Sequence, residues 1–446
     1  MQETRDRGRR RRAAAVAGAA ALAAVLATAV LSLALSAGRG EAQDGSGEAK
    51  NVIFAMGDGM GQAHRDAIQL SKVGPYERLV MDRLPYEGMV GTNAADPETF
   101  VTDSAAGATS YATGVKTYNG AIGVDKDGEA VPTIIEKAKA AGKAVGIVTT
   151  SQVTDASPAG FAAHVEDRGE QSEIARQYIE ETKVDVILGG GEDRWYPEGN
   201  EGAYPDDPEG GEESRSDRGN LVNRAKRLGY DYVSDPADLG DANGPKLLGL
   251  FANEEMFQQA PEGEGAEYSP DPTLRRMTSK AIETLSRDPQ GFFLFVEEEA
   301  IDEMSHNNNA PLTLKSGRAL DGTVSATRNF AERDGETLLI VTADHECGGL
   351  AIEGPDDPEF PDESGGNEGS ENANLSVEDG PFRAADSDYE FVMDWTTTGH
   401  TAVDVPLTAT GPEAEKLTGN YENTEVFDVM NEAYGFPRSG REAPGG

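Results

Sequence analysis

Asn51-Val52-Ile53-Phe54-Ala55-Met56-Gly57-Asp58-Gly59-Met60-Gly61 joins a short apolar run to a glycine-rich turn that presents one carboxylate. A run of that length bounded by glycines reads as a buried strand. The pattern recurs along the chain. Residues 143–150 form a second such run, with Asp155-Ala156-Ser157-Pro158 just beyond it. Residues 292–296 run straight into Glu297, and residues 337–342 end at Asp344-His345. Residues 184–188 and 246–251 read as further strands, the first closed by three glycines. Helical patterns fall between them, over 132–141, 170–181, 273–286 and 313–331. Apolar strands alternating with helices predict an α/β fold, a three-layer α/β/α sandwich around a large, mostly parallel sheet. In such sheets ligands gather beyond the carboxyl ends of the strands. Asp58, Asp155, Glu297 and Asp344 all fall there, and four carboxylates at one edge repel one another unless cations sit among them.

Thr102-Asp103-Ser104-Ala105-Ala106 supplies a candidate nucleophile. The acid, the serine and the small residues after them read as a loop entering a tightly packed helix. A serine oxygen at a helix start meets free backbone N–H groups and the positive dipole end, a good place for a phosphate or an alkoxide. An isolated Asp-Ser pair is usually only an N-cap. The histidines change that balance. Three of the five lie in Asp302-x3-His306, Asp344-His345 and Gly399-His400-Thr401. Zinc takes imidazole nitrogen and carboxylate oxygen, so Asp302, His306 and His400 make one candidate site. Asp58, Asp344 and His345, with the Ser104 oxygen, make another. His64 reads as a solvated or packing histidine, His164 as structural, Cys347 as a small packed side chain, and Glu298 and Glu299 as solvated loop acids.

Composition bounds the partners. The chain has 446 residues, with Lys+Arg 39 against Asp+Glu 80 and a net charge of −41. Nucleic acid and anionic membranes are excluded as specific partners, because phosphate backbones are held by Lys and Arg. Such an acidic chain suits high ionic strength, where its self-repulsion is screened. Residues 1–42 differ from the rest: an arginine cluster precedes the apolar stretch 13–37, the layout of an export signal. Cleavage after Ala37 or Ala42 fits, and the stretch is also long enough for an uncleaved membrane anchor. General and twin-arginine export both stay open; the destination is extracellular, periplasmic or the cell surface. Residues 43–446 read as one catalytic domain with acidic insertions near 198–220 and 354–380. Cys347 is the only cysteine, so no intrachain disulfide braces the chain.

Together these segments resemble the alkaline phosphatase family. They are Met56-Gly-Asp58-Gly-Met-Gly61, Thr102-Asp-Ser104-Ala-Ala106, Asp155-Ala-Ser157-Pro158, Arg168, Glu297-x4-Asp302-x3-His306, Thr342-Ala-Asp344-His345-Glu346 and Gly399-His400-Thr401, in family order. The resemblance implies a phosphate monoesterase with two zinc ions and one magnesium ion. Asp302, His306 and His400 would hold the first zinc; Asp344 and His345 the second, with Asp58 bridging to magnesium. Ser157 and Glu297 would complete the magnesium ligands, with Asp155 reaching it directly or through water. Ser104 would form a phosphoserine, Arg168 would clamp two phosphoryl oxygens, and Asp103 would help bind substrate. The departures are Asp155, where some members carry histidine; Glu303, where the residue is often basic or aromatic; and Cys347, where many carry threonine. Diesterases, nucleotide pyrophosphatases and a non-catalytic metal- or phosphate-binding protein are the alternatives. The physiological ester and the oligomeric state, homodimer included, stay open.

Overall fold

The computed structural model describes residues 48–206, 213–259, 266–355 and 377–437. The export-signal reading of residues 1–42 lies outside these, as do 207–212 and 356–376 of the two predicted acidic insertions. Among the described residues no helix is long and apolar enough to cross a membrane.

Ten strands form the central sheet. In chain order they are β1 (Asn51–Gly57), β2 (Tyr86–Gly91), β3 (Ala144–Gln152), β4 (Val186–Gly190), β5 (Asp231–Val233), β6 (Leu247–Leu250), β7 (Phe292–Glu298), β8 (Thr337–Thr342), β9 (Val405–Thr410) and β10 (Gly419–Glu422). Their spatial order is β10-β2-β9-β8-β1-β7-β3-β4-β6-β5. Only β9 runs against its neighbours; every other pairing is parallel. The helices are α1 (Gln62–Val73), α2 (Ser104–Thr113), α3 (Ile134–Ala140), α4 (Ala156–Ala162), α5 (Gln171–Glu180), α6 (Leu221–Arg227), α7 (Leu274–Leu285), α8 (Ala300–His306), α9 (Ala310–Asp334) and α10 (Asn423–Ala433).

The central strands are buried at every position, as expected for strands covered on both faces. Phe54 of β1 turns one way and meets Tyr111 of α2 at 5.3 Å and Phe161 of α4 at 5.2 Å between ring centroids. That layer also holds α3 and α10, while α1, α7 and α9 pack on the other face. The expected three-layer α/β/α sandwich is therefore the fold. Register carries the site: Met56 of β1 pairs with Thr342 of β8 and with Glu297 of β7, and Glu297 pairs with Thr149 of β3. The carboxyl ends of four adjacent strands thus stop at one level.

The acidic insertions are only partly as read. The described residues of 198–220 carry neither helix nor strand. The second insertion ends in a strand, Val377–Arg383, which pairs with Glu390–Trp395, itself paired with Leu350–Glu353.

Candidate active site

Helix α2 begins where the sequence places it. Asp103 is its N-cap, with extended backbone, and its side chain accepts from the Ala106 N–H at 2.9 Å. Ser104 is thereby the first helical residue. All ten residues of α2 are buried, and its small side chains allow close approach. A Cβ at Gly107 would lie 3.1 Å from the Asp344 carbonyl oxygen and 3.2 Å from Asp344 Cβ. The helix start is held against the end of β8 because that position has no side chain.

Ser104 Oγ lies 3.2 Å from His345 Nε2. The same nitrogen is 3.2 Å from Asp344 Oδ2 and 3.4 Å from Asp58 Oδ1. Ser157, at the start of α4, donates its hydroxyl to Asp58 Oδ2 at 3.2 Å. Glu297 Oε2 accepts from Thr149 Oγ1 at 2.6 Å. Helix α8 carries Asp302 and His306, with Asp302 Oδ2 3.0 Å from His306 Nε2 and 3.6 Å from His400 Nε2. Gly59, with φ of +66°, lets the turn after β1 pass Asp302; a Cβ there would meet Asp302 Oδ1 at 2.4 Å.

Two compact donor groups result. Asp302, His306, His400 and Cys347 each offer an atom within 4.8 Å of the others, as do Asp58, Asp302 and His345. The first matches the expected zinc trio with a sulfur added. In the second, Asp302 appears beside Asp58 and His345, with Asp344 at the same imidazole nitrogen.

The chemistry of these donors fits cations. His306 Nδ1 faces the Thr398 carbonyl at 2.6 Å and His400 Nδ1 faces the Thr102 carbonyl at 2.9 Å. A carbonyl only accepts, so each Nδ1 carries a proton, and whenever its ring is neutral the Nε2 that faces inward is bare. Those two Nε2 atoms lie 3.1 Å apart beside the Asp302 carboxylate. Three lone-pair donors converging on one point repel unless something positive lies between them. A shared proton is one answer: the hydrogen bond to Asp302 raises His306 to about 9. A metal ion is the other. Asp58 Oδ1, Asp302 Oδ1 and Asp344 Oδ2 are buried with no hydrogen-bond partner, the situation a bound cation relieves.

Electrostatics repeats the point. Burial, then Asp344, Asp302 and Glu297, push Asp58 well above the usual carboxylate range. Burial lifts Glu297 to about 8, with Asp155 and Asp344 adding to it and the Thr149 hydroxyl opposing. Burial and Asp302 raise Asp344 to about 6. Burial also pulls Asp302 upward, but hydrogen bonds from His306 and His400 hold it well below the usual range.

Arg168 Nη2 reaches both oxygens of Asp155, at 3.1 and 3.3 Å, and its Nη1 lies 3.5 Å from Asp103 Oδ2. Asp103 Oδ2 also accepts from the Gly120 N–H at 2.9 Å. Asp103 and Asp155 therefore brace the guanidinium from two sides, and its side chain stays 35% exposed.

One sequence reading is corrected. Glu298 and Glu299 are buried, not solvated loop acids. Strand β7 continues past its apolar run through Glu298, so the chain carries these acids inside. Glu298 is held by hydroxyls of Tyr268 at 2.6 Å and Thr150 at 2.8 Å. The packing alternative holds for His64, buried 3.1 Å from Ser305 Oγ. His164 is structural, set between the Gly123 carbonyl and Glu136. Sequence reasoning missed Thr149 and the carbonyls of Thr102 and Thr398; the first is a hydroxyl within a buried apolar run, a visible signal, whereas carbonyls carry none.

Fold and donor set define a class: an α/β sandwich with a serine hydroxyl set among side chains of the types that ligate metals. Residues 49–436 match the family model described as alkaline phosphatase. Alkaline phosphatase 3 of Bacillus subtilis is 33% identical over 429 residues, covering 85% of this chain and 87% of the relative. Streptomycin-6-phosphate phosphatase of Streptomyces griseus is 33% identical over 439 residues, covering 88% and 92%. The solved alkaline phosphatase of the Antarctic bacterium TAB5 superposes with a TM-score of 0.70 at 29% identity, covering 88% of this chain and all (100%) of that one. A variant of that enzyme, with aspartate in place of a histidine, holds magnesium in its M3 site. The chain belongs to the alkaline phosphatase family, and it is a phosphatase.

Proposed function

We propose that the protein is an exported alkaline phosphatase that hydrolyses phosphate monoesters to alcohol and inorganic phosphate through a phosphoserine at Ser104. The observation that carries this reading is the 3.2 Å approach of Ser104 Oγ to His345 Nε2, itself against the Asp58 and Asp344 carboxylates. That approach supports reading Ser104 as a nucleophile set against a cation-binding donor group. Asp302, His306 and His400 would hold one zinc ion; Asp344 and His345 would hold the second, with Asp58 shared between it and magnesium. Ser157 and Glu297 would complete the magnesium ligands, and Asp155 would reach it directly or through water. Bound there, the ions would supply the positive charge that favours the Ser104 alkoxide and offsets charge growing on the phosphoryl and leaving oxygens.

The chain's own residues do the rest. Helix α2 fixes Ser104 at its first turn, where backbone N–H groups and the dipole favour negative charge. Ser104 Oγ loses its proton to solvent and bonds to phosphorus as the ester P–O bond breaks, and the departing alkoxide takes a proton from solvent and leaves as the alcohol. Water then cleaves the phosphoserine from the vacated side and inorganic phosphate leaves. Arg168, braced by Asp103 and Asp155, is oriented to grip two non-bridging oxygens. That gives Asp103 its part in substrate binding at one remove. The export signal at residues 1–42, a single catalytic domain over 43–446 and action on small esters complete the proposal; dimerisation is left to measurement. Phosphate release from an aryl monoester at alkaline pH, with and without chelator, tests it: activity that a chelator abolishes supports the reading, and inactivity with metals bound contradicts it.

A further inference from the structure

Cys347 has no part in the reaction just described, yet it occupies a telling position. The strand Glu346–Cys347 pairs antiparallel with His400–Thr401, with Cys347 directly opposite His400. Its backbone N–H donates to the Gly59 carbonyl at 3.1 Å, which ties it to the turn after β1. The side chain is buried, and its sulfur lies within 4.8 Å of ligand atoms on Asp302, His306 and His400. In the same group Asp302 Oδ2 lies 3.0 Å from His306 Nε2 and 3.6 Å from His400 Nε2, so a carboxylate oxygen and two imidazole nitrogens converge beside the sulfur.

We propose that Cys347 is a sulfur ligand of the metal ion held by Asp302, His306 and His400, which makes this an Asp-His-His-Cys site. The inference rests on the proposed reading that this trio binds metal. Two imidazoles, one carboxylate and one thiolate are a tetrahedral zinc donor set, and zinc accepts a fifth ligand when substrate enters. Sulfur also sets the selectivity, because thiolate suits zinc or cobalt and not magnesium. Metal binding displaces the thiol proton to solvent, since a coordinating thiol is deprotonated outright.

Cys347 is the only cysteine in the chain, so a thiolate signal can come from nowhere else. The full-length enzyme, stripped by chelator and reloaded with cobalt(II), should show a near-ultraviolet sulfur-to-cobalt charge-transfer band. Cys347→Ser and Cys347→Thr should still take up cobalt and show its visible bands without the ultraviolet one. They should also release that ion about 10- to 100-fold more readily in chelator competition. A role limited to hydrogen bonding Asp302 would weaken the site without producing the band. Cobalt uptake by the wild type with no such band overturns the inference and leaves the metal reading standing; no cobalt uptake at all overturns both. Because the wild-type spectrum decides, the test survives a variant that fails to fold.

Discussion

Arg168 is held by two carboxylates, and in the proposed reaction its guanidinium grips two phosphoryl oxygens. A monoester offers a dianionic phosphoryl group to that planar fork; a diester has one charge and a second substituent that crowds it. Arg168→Ala is expected to lower monoester kcat/KM by about 10- to 1000-fold and to change the much smaller diester rate far less. The ratio of the two rates, measured in wild type and variant at matched zinc content, checks this, and an equal fall in both counts against a phosphoryl clamp. The candidate ligands could be picked out in the sequence because most stand within a few residues of an apolar run, where an α/β architecture gathers its binding groups. Burial of single polar residues was not. Glu298 and Glu299 follow an apolar strand with nothing to mark whether the strand has ended, and the partners of Glu298, the hydroxyls of Thr150 and Tyr268, lie elsewhere in the chain.

Helix α2 and the end of β8 approach so closely at Gly107 that even one methyl group must displace something. Gly107→Ala is expected to cost no more than about 1–2 kcal/mol net, because the strain against the Asp344 backbone is partly offset by the better helix propensity of alanine. It should lower kcat as well, because Asp344 and Ser104 both approach the same His345 Nε2 nitrogen. Denaturation and steady-state rates measure the two effects, and an unchanged kcat would show that the contact is merely packing. Helix α3 offers a pH test. Its capping box uses Glu136, which also meets His164 Nε2 at 3.0 Å. Burial opposes charge on both, but the hydrogen bond and the ion pair outweigh it, raising His164 above 6.5 and lowering Glu136 below 4.5. The His164 contribution is therefore complete below 6.5 and lost as pH rises through its raised value; that of Glu136 is lost as pH falls through its lowered one. His164→Ala should depress Tm most near pH 6 and progressively less above pH 7, and a Tm difference independent of pH would contradict the pairing. At this scale the parallel core strands were legible, since an apolar run covered on both faces has few other readings. Strands β2 and β10 were not: Tyr86-Glu-Gly-Met-Val-Gly91 and Gly419-Asn-Tyr-Glu422 have neither alternation nor an apolar run, and sheet pairing alone makes them strands.

Across the whole molecule, the candidate ligands come from both halves of the chain and meet because β1 lies between β8 and β7. That order cannot be read from composition. On the proposed reading metal and fold are coupled: with no disulfide, cations bound there would tie the ends of β1, β7 and β8 to α2 and α8. Chelation should lower Tm by roughly 5–10 °C, from a binding contribution of a few kcal/mol, while abolishing turnover. A melting curve unchanged after verified metal removal would leave the ions a catalytic role only. The central claim, however, is covalent. Brief incubation with an aryl monoester or with phosphate, quenched in acid and digested for mass spectrometry, should place one phosphoryl group on the peptide containing Ser104. The label should vanish in Ser104→Ala, which is expected to retain its metals and lose several orders of magnitude in kcat. Steady turnover with no label at Ser104, or near-normal activity in Ser104→Ala, would contradict the account.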